Sequence, residues 1–546
     1  MFKKTSPPQT NMFKDLSAHV SDRKASILND PTSWHNVFLR EVTQRVDESV
    51  FAPLFNTGGR PNAPLRILLA MMVLKEGNGW SDEQLFDSCR FNIRCMRALG
   101  LCNLDDDVPV ESTYYEFRRR LAEHSEKHGQ DLVGEAFRCA ARGQIRAHTI
   151  TGEKIRMDSK LIQSNIAKAG RLELVLETVR VSIDHMDLGL LSGVLDREDI
   201  DLLESLRSKT ASNVAYPLDN GEKKGMLERL GPIIKGLLPH CGKDPTLHRL
   251  CREQYQQVPG EGGDGNRPEN PAKKIEPKKP KDIPSESLQS VHDPEAAYRR
   301  KGHGKGEQKV SGYHANLTET VGEENPFELL TDVRTEAANV CEDAFLLPAI
   351  AGSDEAGEGQ NVDHVTTDGG YDSTANRTEM SGDGTPHWNM AGHKGAKLRY
   401  RLGRDGDGNL TAYCRKTGAH CTVSFSKTAG KHVIHHGDGT TRYITEQQAE
   451  RYLLLQRQMA SQDEDDRNIR PNVEATIHQV FHRLLKRDKV PYRGKYKCSM
   501  YCLSRAFWTN FRRILKNEVE TALIPLFSLF WPWKDLQWAR RRYCWG

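Results

Sequence analysis

The spacing of apolar residues changes period along this chain, and the changes divide it into helical and strand-forming segments. Over residues 34–120 apolar residues recur every three to four positions, which is typical of helices with one buried face. Around residues 150–166 the period becomes two, with Ile155 and Met157 on one side of a predicted strand and Asp158 on the other. Helical spacing then returns, followed by strand-like segments at 309–320, 327–333 and 361–367. The sequence therefore predicts a mixed α/β fold.

Length and composition exclude several classes of protein. A chain of 546 residues is too long for one hydrophobic core, which stops growing near ~250–300 residues. Its 12 cysteines are too few for a disulfide scaffold, and the N-terminus lacks the apolar core of a signal peptide. The longest apolar stretch, 522–533, is interrupted by prolines and is shorter than the ~20 residues of a membrane-spanning helix. We expect a reduced, cytoplasmic protein of several domains without a membrane segment.

The N-terminal region is predicted to be a cluster of short helices. One helix follows Pro64 and ends at 77–79, and a capping box of Ser81 and Gln84 begins the next. A third helix after Ser112 carries three arginines, Arg118, Arg119 and Arg120. A basic amphipathic helix in such a cluster is typical of a helix-turn-helix-like DNA reader, although three solvated arginines would produce the same pattern.

A later predicted helix carries an acidic residue beside its buried face. Pro471 suits the first turn, and Val473, Ile477 and Phe481 follow at helical spacing. Glu474 falls at the edge of this apolar face, where a carboxylate needs a cationic partner or a metal.

Positive charge is concentrated around this helix, although the whole chain carries only +4. Residues 467–516 contain 13 Lys and Arg against two acidic residues, and the cations are interleaved with Tyr492, Tyr496, Tyr501, Phe507, Trp508 and Phe511. This mixture is typical of a surface that binds a polyanion, and the alternative is a solvated helical face with aromatic residues in the core. The predicted DNA contacts here are Arg467, Arg470, Arg483, Lys486, Arg487, Arg493 and Lys495.

Two further carboxylates occur at or near predicted strand ends. Asp158 follows the strand-like residues 154–157, and Asp368 follows 365–367 and precedes Gly369 and Gly370. In open α/β sheets strand ends converge on one side, where sites are built. Helix caps and turns use aspartate in the same context, so the pattern alone leaves both interpretations open.

The three acidic segments, taken together, resemble bacterial insertion-sequence transposases of the cut-and-paste DDE type. The matching segments are 157–159 with Asn165, 367–373, and 470–474 with 492–494; in addition, 293–296 and 312–316 resemble the family's second-strand region, and 38–121 its N-terminal domain. The third segment departs from the pattern, because Arg467 and Phe481 stand where relatives often have Tyr and Lys. Arg483 or Lys486 is an alternative source of the missing cation.

The resemblance implies a ribonuclease-H-like catalytic domain that cleaves and joins DNA strands at insertion-sequence ends. Asp158, Asp368 and Glu474 would be the catalytic residues and would hold two Mg²⁺ or Mn²⁺ ions, with Asp158 bridging both. Two such ions, about 3.5–4 Å apart, stabilise the attacking and leaving oxygens of a displacement at phosphorus. The implied partner is double-stranded DNA, both terminal inverted repeats and target, bound by a homodimer or higher oligomer at the nucleoid. The alternatives are a catalytically inactive, transposase-derived DNA-binding protein and a nuclease of this fold without joining activity.

The catalytic domain is expected to be interrupted by two insertions. The predicted divisions are an all-α N-terminal DNA-binding domain (1–145), the first part of the catalytic domain (146–170), a helical insertion (171–258), a charged flexible linker (259–291), the second catalytic part (292–380), a β-rich insertion (381–464), the third catalytic part with the basic helix (465–516) and an aromatic and basic tail (517–546).

Overall fold

A computed structural model describes most of the chain. The described residues are 1–6, 14–242, 244–258, 274–284, 286–302, 307–357, 359–380, 382, 384–390, 400–414, 417–437, 439–460, 471–482, 484 and 488–528. Within these ranges, no helix combines the length and the apolar character needed to cross a membrane.

Helices dominate the N-terminal region and the C-terminal part of the described chain. They are α1 (Asp22–Asn29), α2 (Trp34–Glu41), α3 (Leu65–Asn78), α4 (Asp82–Phe91), α5 (Ile93–Ala98), α6 (Glu111–His128), α7 (Leu132–His148), α8 (Arg171–Ile183), α9 (Arg197–Ser208), α10 (Ala211–Ala215), α11 (Asn220–Leu237), α12 (Pro245–Gln254), α13 (Leu346–Ala356), α14 (Thr374–Glu379), α15 (Glu446–Ala460), α16 (Pro471–Phe481) and α17 (Lys495–Ser528). Short 3₁₀ helices cover Thr43–Arg45, Glu48–Leu54, Leu188–Leu191, Pro280–Asp282, Glu342–Phe345 and Gly369–Tyr371.

The strands form one mixed sheet, one antiparallel sheet and one hairpin. They are β1 (Lys154–Gln163), β2 (Tyr255–Val258), β3 (Lys274–Pro277), β4 (Ala297–Lys301), β5 (Gln308–Thr320), β6 (Leu330–Ala337), β7 (His364–Thr367), β8 (His387–Met390), β9 (Tyr400–Arg404), β10 (Leu410–Cys414), β11 (His420–Ser426), β12 (Lys431–His435) and β13 (Thr441–Ile444). The fold is thus mixed helix and sheet with a helical N-terminal region.

The mixed sheet has β1 at its centre. On one side β1 pairs antiparallel with the long strand β5, whose far edge pairs with β4 and then with β6. On the other side β7 runs parallel to β1, and β8 runs parallel to β7. In the sequence, β1 is separated from β4, the next strand of this sheet, by residues 164–296.

Local sequence signals in the N-terminal helices are confirmed. In α4 the Ser81 hydroxyl accepts from the Gln84 backbone N–H, and the Gln84 side chain accepts from the Ser81 N–H. Gly79 follows α3 with φ 70°, a left-handed conformation that favours glycine. Gly77, by contrast, lies inside α3, where a Cβ would stand 2.1 Å from Cδ2 of Trp508, so this glycine provides space for packing.

Helix α17 is the centre of the C-terminal part of the core. Its residues 498–511 are buried on nearly every side, and it packs on α3, α2 and α7 as well as on β5 and β6. Tyr501, Phe507 and Phe511 lie in one hydrophobic core with residues of the N-terminal helices and the sheet. The interpretation of these aromatic residues as part of a polyanion-binding surface is therefore wrong, because their rings fill the core.

The shared core also changes the predicted divisions. Apolar residues on both sides of position 145 belong to the same hydrophobic cluster, so the N-terminal helices do not form a core of their own. The predicted boundary at 516 falls within α17, which continues to Ser528. Residues 529–546 of the predicted tail lie outside the described residues.

The helical insertion has a separate core. Helices α8 to α12 bury a second cluster of apolar residues that includes Leu176, Leu203 and Leu247. Part of the predicted flexible linker joins it: β3 pairs with β2, and Ile275 and Leu288 are buried in this cluster. The linker prediction is wrong for 274–284 and 286–291, because these apolar side chains cover the insertion, whereas 259–273 lie outside the described residues.

The β-rich insertion is a five-stranded antiparallel sheet in the order of the sequence, β9 to β13. Leu402, Ala412 and Ile434 form its core with Ala449 and Leu453 of α15, which covers one face. Successive strands pair as antiparallel hairpins, and residues 405–409 form the turn between β9 and β10.

One predicted helix is displaced. The sequence pattern favours a helix over 336–349, but β6 continues to Ala337, which pairs with Tyr313 of β5. A 3₁₀ turn at Glu342–Phe345 follows, and α13 begins only at Leu346. Pairing along the sheet edge therefore determines where the helix starts.

A fully buried arginine fastens α17 to the ends of two other helices. The Arg505 Nη1 donates to the carbonyls of Glu76 (2.9 Å) and Gly77 (3.1 Å) at the end of α3. Its Nε and Nη2 donate to the carbonyls of Val480 (2.7 Å) and Gln479 (3.0 Å) at the end of α16. Helix C-termini carry unsatisfied carbonyls and partial negative charge, so one guanidinium satisfies two helix ends.

We expect Arg505→Met to destabilise the fold by about 3 kcal/mol or more, because it leaves several buried carbonyls without donors. Arg512→Met, at an exposed position of the same helix, is the matched control. Thermal unfolding followed by circular dichroism measures the difference. Equal midpoints for the two variants would contradict the role given to Arg505.

Candidate functional site

Two of the predicted acidic residues occupy matching positions at neighbouring parallel strands, one within β1 and one directly after β7. The pairs Lys154–His364, Ile155–Val365 and Arg156–Thr366 set the register of β1 and β7. The same register carried two residues further brings Asp158 level with Asp368. Asp368 directly follows β7, but Asp158 lies within β1, because β1 remains paired with β5 as far as Gln163. The expectation of a strand end thus holds for Asp368 and is wrong for Asp158.

Backbone donors orient both carboxylates. The Ser159 N–H donates to Oδ1 of Asp158 at 2.7 Å, and the Gly370 N–H donates to Oδ1 of Asp368 at 2.7 Å. Asp368 thereby caps the 3₁₀ turn Gly369–Tyr371. Both aspartates are half-buried.

The buried side chain of Tyr371 is affected by the negative charge of nearby carboxylates. The Tyr371 hydroxyl donates to Oδ1 of Asn316 at 2.5 Å. Burial raises the pKa of Tyr371 well above its usual value, and the charges of Asp158, Glu342 and Asp368 raise it further. The tyrosine is therefore neutral, and three carboxylates share its surroundings.

Glu342 is a residue of this region that sequence reasoning missed. Its Oε1 accepts from Lys301 Nζ at 3.1 Å and lies 3.2 Å from the Ser159 hydroxyl. Burial acts to raise the pKa of Glu342, but the charge and hydrogen bond of Lys301, together with the charges of His314 and Arg299, lower it overall. Glu342 precedes α13 in a segment predicted as helix, so its position next to the aspartates had no sequence signal of its own.

His314 completes this polar group. Its Nδ1 donates to the Val340 carbonyl at 2.9 Å, and its Nε2 lies 2.8 Å from the Ser159 hydroxyl. Burial lowers the pKa of His314, which favours the neutral ring with its Nε2 as an acceptor. The Ser159 proton thus serves one of two acceptors at a time, Nε2 of His314 or Oε1 of Glu342.

The third predicted acidic residue lies on α16, which packs against β1. Glu474 itself is exposed, in agreement with its predicted place at the edge of the buried face. Two residues later, the Thr476 hydroxyl lies 2.9 Å and 2.8 Å from the two carboxylate oxygens of Glu319.

Glu319 is the centre of a buried ionic network beneath α16. It is fully buried and accepts from Arg156 Nε at 2.7 Å and from Arg513 Nη1 at 2.7 Å. Arg156 and Asp158 occupy alternate positions of β1 and so share a face of the sheet. The network therefore fixes α16, and with it Glu474, over the face of β1 to which Asp158 belongs.

Sequence segments of the first and third motifs meet at the end of β1. The Asn165 N–H donates to the Tyr492 carbonyl at 3.1 Å, and Arg493 Nε donates to the Asn165 carbonyl at 2.8 Å. Gln163 and Lys489 form an isolated parallel bridge beside them. The 489–493 segment is thus held against the strand that carries Asp158.

The predicted DNA-binding side chains have intramolecular contacts wherever the structure describes them. The Arg118 guanidinium lies over the rings of Tyr114 (5.5 Å) and Tyr492 (5.1 Å). Arg119 and Arg120 pair with Glu116 at 2.7 Å and 2.8 Å. Binding of DNA phosphates would compete with these intramolecular partners. The DNA contacts of the three arginines stay predictions.

Two of the remaining predicted DNA-binding residues also have intramolecular partners, and the others are not described. Lys495 Nζ pairs with Glu336 at 3.0 Å, while Arg493 is exposed and held by the Asn165 carbonyl. Five predicted residues lie outside the described residues: Arg467, Arg470, Arg483, Lys486 and Arg487.

The described residues contain one group of three metal-type ligands whose atoms lie within 4.8 Å of one another: Glu41, His148 and Glu518. The predicted set of Asp158, Asp368 and Glu474 is not gathered this closely in the described structure. Two arginines already neutralise Glu41: Arg40 at 2.9 Å and Arg45 at 3.1 Å. Burial acts to raise the pKa of Glu41, but His148 and these arginines lower it to about 2. This group is therefore an ion-pair network.

Comparison with known proteins gives one match, in the helical N-terminal region. Residues 27–120 match a family model described as a transposase domain (DUF772). The match supports a transposase-family protein. It covers the segment from the end of α1 into α6, including the buried helix α3 that Arg505 caps. No curated protein and no solved structure matches the chain.

The buried network under α16 is testable by substitution. We expect Glu319→Gln to cost about 3–5 kcal/mol, because it leaves the buried Arg156 and the half-buried Arg513 without their carboxylate. Glu324→Gln, at an exposed position, is the control. Hydrogen exchange measured by mass spectrometry should show faster exchange in α16 for Glu319→Gln alone. Unchanged protection of α16 would mean that other contacts fix this helix.

Proposed function

We propose that this protein is a DDE transposase that cleaves and joins DNA strands at insertion-sequence ends. The observation that carries the proposal is the parallel register of β1 and β7, which, carried two residues further, sets Asp158 of β1 level with Asp368 directly after β7. The match of residues 27–120 to a transposase domain supports the reaction class independently of these two aspartates.

We also propose that the mixed sheet is a ribonuclease-H-like catalytic core. The central place of β1 supports this, as do the antiparallel strands β5 and β6 on one side and the parallel strands β7 and β8 on the other. The two insertions leave this sheet intact, because the helical and β-rich segments each have their own hydrophobic cluster.

The acidic residues fit a site for hard divalent cations. Carboxylate oxygens are the ligands of Mg²⁺ and Mn²⁺, and the combined charge that raises the pKa of Tyr371 is the kind that such cations neutralise. Asp158 and Asp368 would hold the ions, with Glu474 of α16 as the third carboxylate. Two ions bound there would stabilise the attacking and leaving oxygens of an in-line displacement at phosphorus.

The chain's own residues orient the acids. Backbone N–H groups of Ser159 and Gly370 fix one oxygen of each aspartate, and the Glu319 network fixes the helix that carries Glu474. The proposed substrate is double-stranded DNA, both the terminal inverted repeats and the target, bound by a homodimer or higher oligomer.

Asp158→Asn and Asp368→Asn should each reduce strand cleavage about 1000-fold, since several kcal/mol of charge stabilisation would be lost. The assay is nicking of a supercoiled plasmid that carries the element ends, with Mg²⁺ or Mn²⁺. Asp363→Asn, an exposed aspartate immediately before β7, is the control and should cleave like the wild type. If wild type and Asp158→Asn nick equally, the catalytic proposal is wrong. Cleavage without strand-transfer products would indicate a nuclease.

Glu474→Gln tests the third carboxylate separately. We expect a loss of cleavage comparable to that of Asp158→Asn with little change in thermal midpoint, because Glu474 is exposed and buried contacts of its neighbours hold α16. Full activity of Glu474→Gln would exclude Glu474 from the acidic set while leaving the aspartate pair in place.

A further inference from the structure

Glu342 lies against Ser159, the residue after Asp158, and against Gly370, two residues after Asp368. Its side chain is 7% exposed and lies in the 3₁₀ turn between β6 and α13. One carboxylate oxygen faces Ser159 of β1, and the other faces Gly370 in the turn after β7.

The contact with Ser159 links Glu342 to Asp158. Glu342 Oε1 lies 3.2 Å from the Ser159 hydroxyl, while the Ser159 N–H donates to Asp158 Oδ1 at 2.7 Å. Any shift of the Glu342 carboxylate therefore acts on the residue that orients Asp158.

The contact with Gly370 links Glu342 to Asp368. A Cβ on Gly370 would stand 1.7 Å from Glu342 Oε2 and 2.9 Å from Asp368 Oδ1. Gly370 does not have a positive φ, so a methyl group here would meet the Glu342 carboxylate rather than strain the backbone. The Gly370 N–H in turn orients Asp368 at 2.7 Å.

A third carboxylate beside two aspartates adds repulsion unless its charge is offset. Lys301 Nζ supplies this charge, at 3.1 Å from Glu342 Oε1. Glu342 is therefore held by a cation of its own and can approach the aspartate pair without adding net negative charge.

We propose that Glu342 is a positioning residue that sets the separation of Asp158 and Asp368 through Ser159 and Gly370. This inference rests on the proposed function, since it gives Glu342 the role of positioning the metal-binding aspartates of that site. Residues that orient metal ligands typically contribute about 10–100-fold to metal affinity.

Binding of Mn²⁺ alone to the full chain, measured by isothermal titration calorimetry, tests the proposal. We expect Glu342→Ala to weaken Mn²⁺ binding about 10-fold or more. Glu342→Gln keeps an oxygen for Lys301 and should restore most of the affinity. The matched control is Glu336→Ala, which removes the carboxylate of a separate ion pair between Glu336 of β6 and Lys495. This variant should bind Mn²⁺ like the wild type.

Gly370→Ala provides a second route to the same contact. Its methyl group should displace the Glu342 carboxylate and weaken Mn²⁺ binding. In the double variant Glu342→Ala/Gly370→Ala the loss should be smaller than the product of the two single losses, because the closest clash is removed with the carboxylate. Multiplicative losses would overturn the proposed contact.

The outcomes separate this inference from the function on which it rests. If the wild type does not bind Mn²⁺, or Asp158→Asn binds it equally well, the proposed metal site is wrong and the role of Glu342 is wrong with it. If Asp158→Asn abolishes binding but Glu342→Ala binds like the wild type with an unchanged thermal midpoint, only the role of Glu342 is overturned.

Discussion

A single buried guanidinium, that of Arg505, connects the parts of this protein that a functional site must bring together. Its donors reach the end of α3, within the segment that matches a transposase domain, and the end of α16, the helix of Glu474. A buried charge is costly unless it is fully hydrogen-bonded, and the two helix ends supply the acceptors it needs. The N-terminal helices and α16 therefore hold one relative position.

A second buried charge cluster fixes α16 one turn closer to its N-terminus. Arg513, two turns along α17 from Arg505, pairs with Glu319, which also binds Arg156 of β1 and Thr476 of α16. Helix α17 thus supplies both cations that hold α16. Together they orient this short helix between the central strand and the core, so the position of Glu474 depends on residues that never contact it.

The sequence predicted those features that depend on neighbouring residues. The capping box at Ser81, the end of α3 at 77–79 and the strand alternation around Asp158 are local, and the structure contains each of them. Features that depend on distant residues were missed or misplaced. The start of α13 depends on strand pairing with β5, and Glu342 reaches Ser159 from 183 positions away. The adjacency of Asp158 and Asp368 was predictable only by resemblance, since a gap of two hundred residues carries no periodic signal.

The charge excess over residues 467–516 shows why local counts do not define a binding surface. Arg505 and Arg513 are part of that excess, yet helix-end carbonyls and Glu319 engage both of them inside the protein. A count along the sequence cannot separate such cations from exposed ones, because burial is decided by the helices that pack around α17. Lys497, Arg512 and Lys516 are exposed on the same helix. Since phosphate contacts need accessible cations, these three are better candidates for DNA contact than the aromatic residues between them.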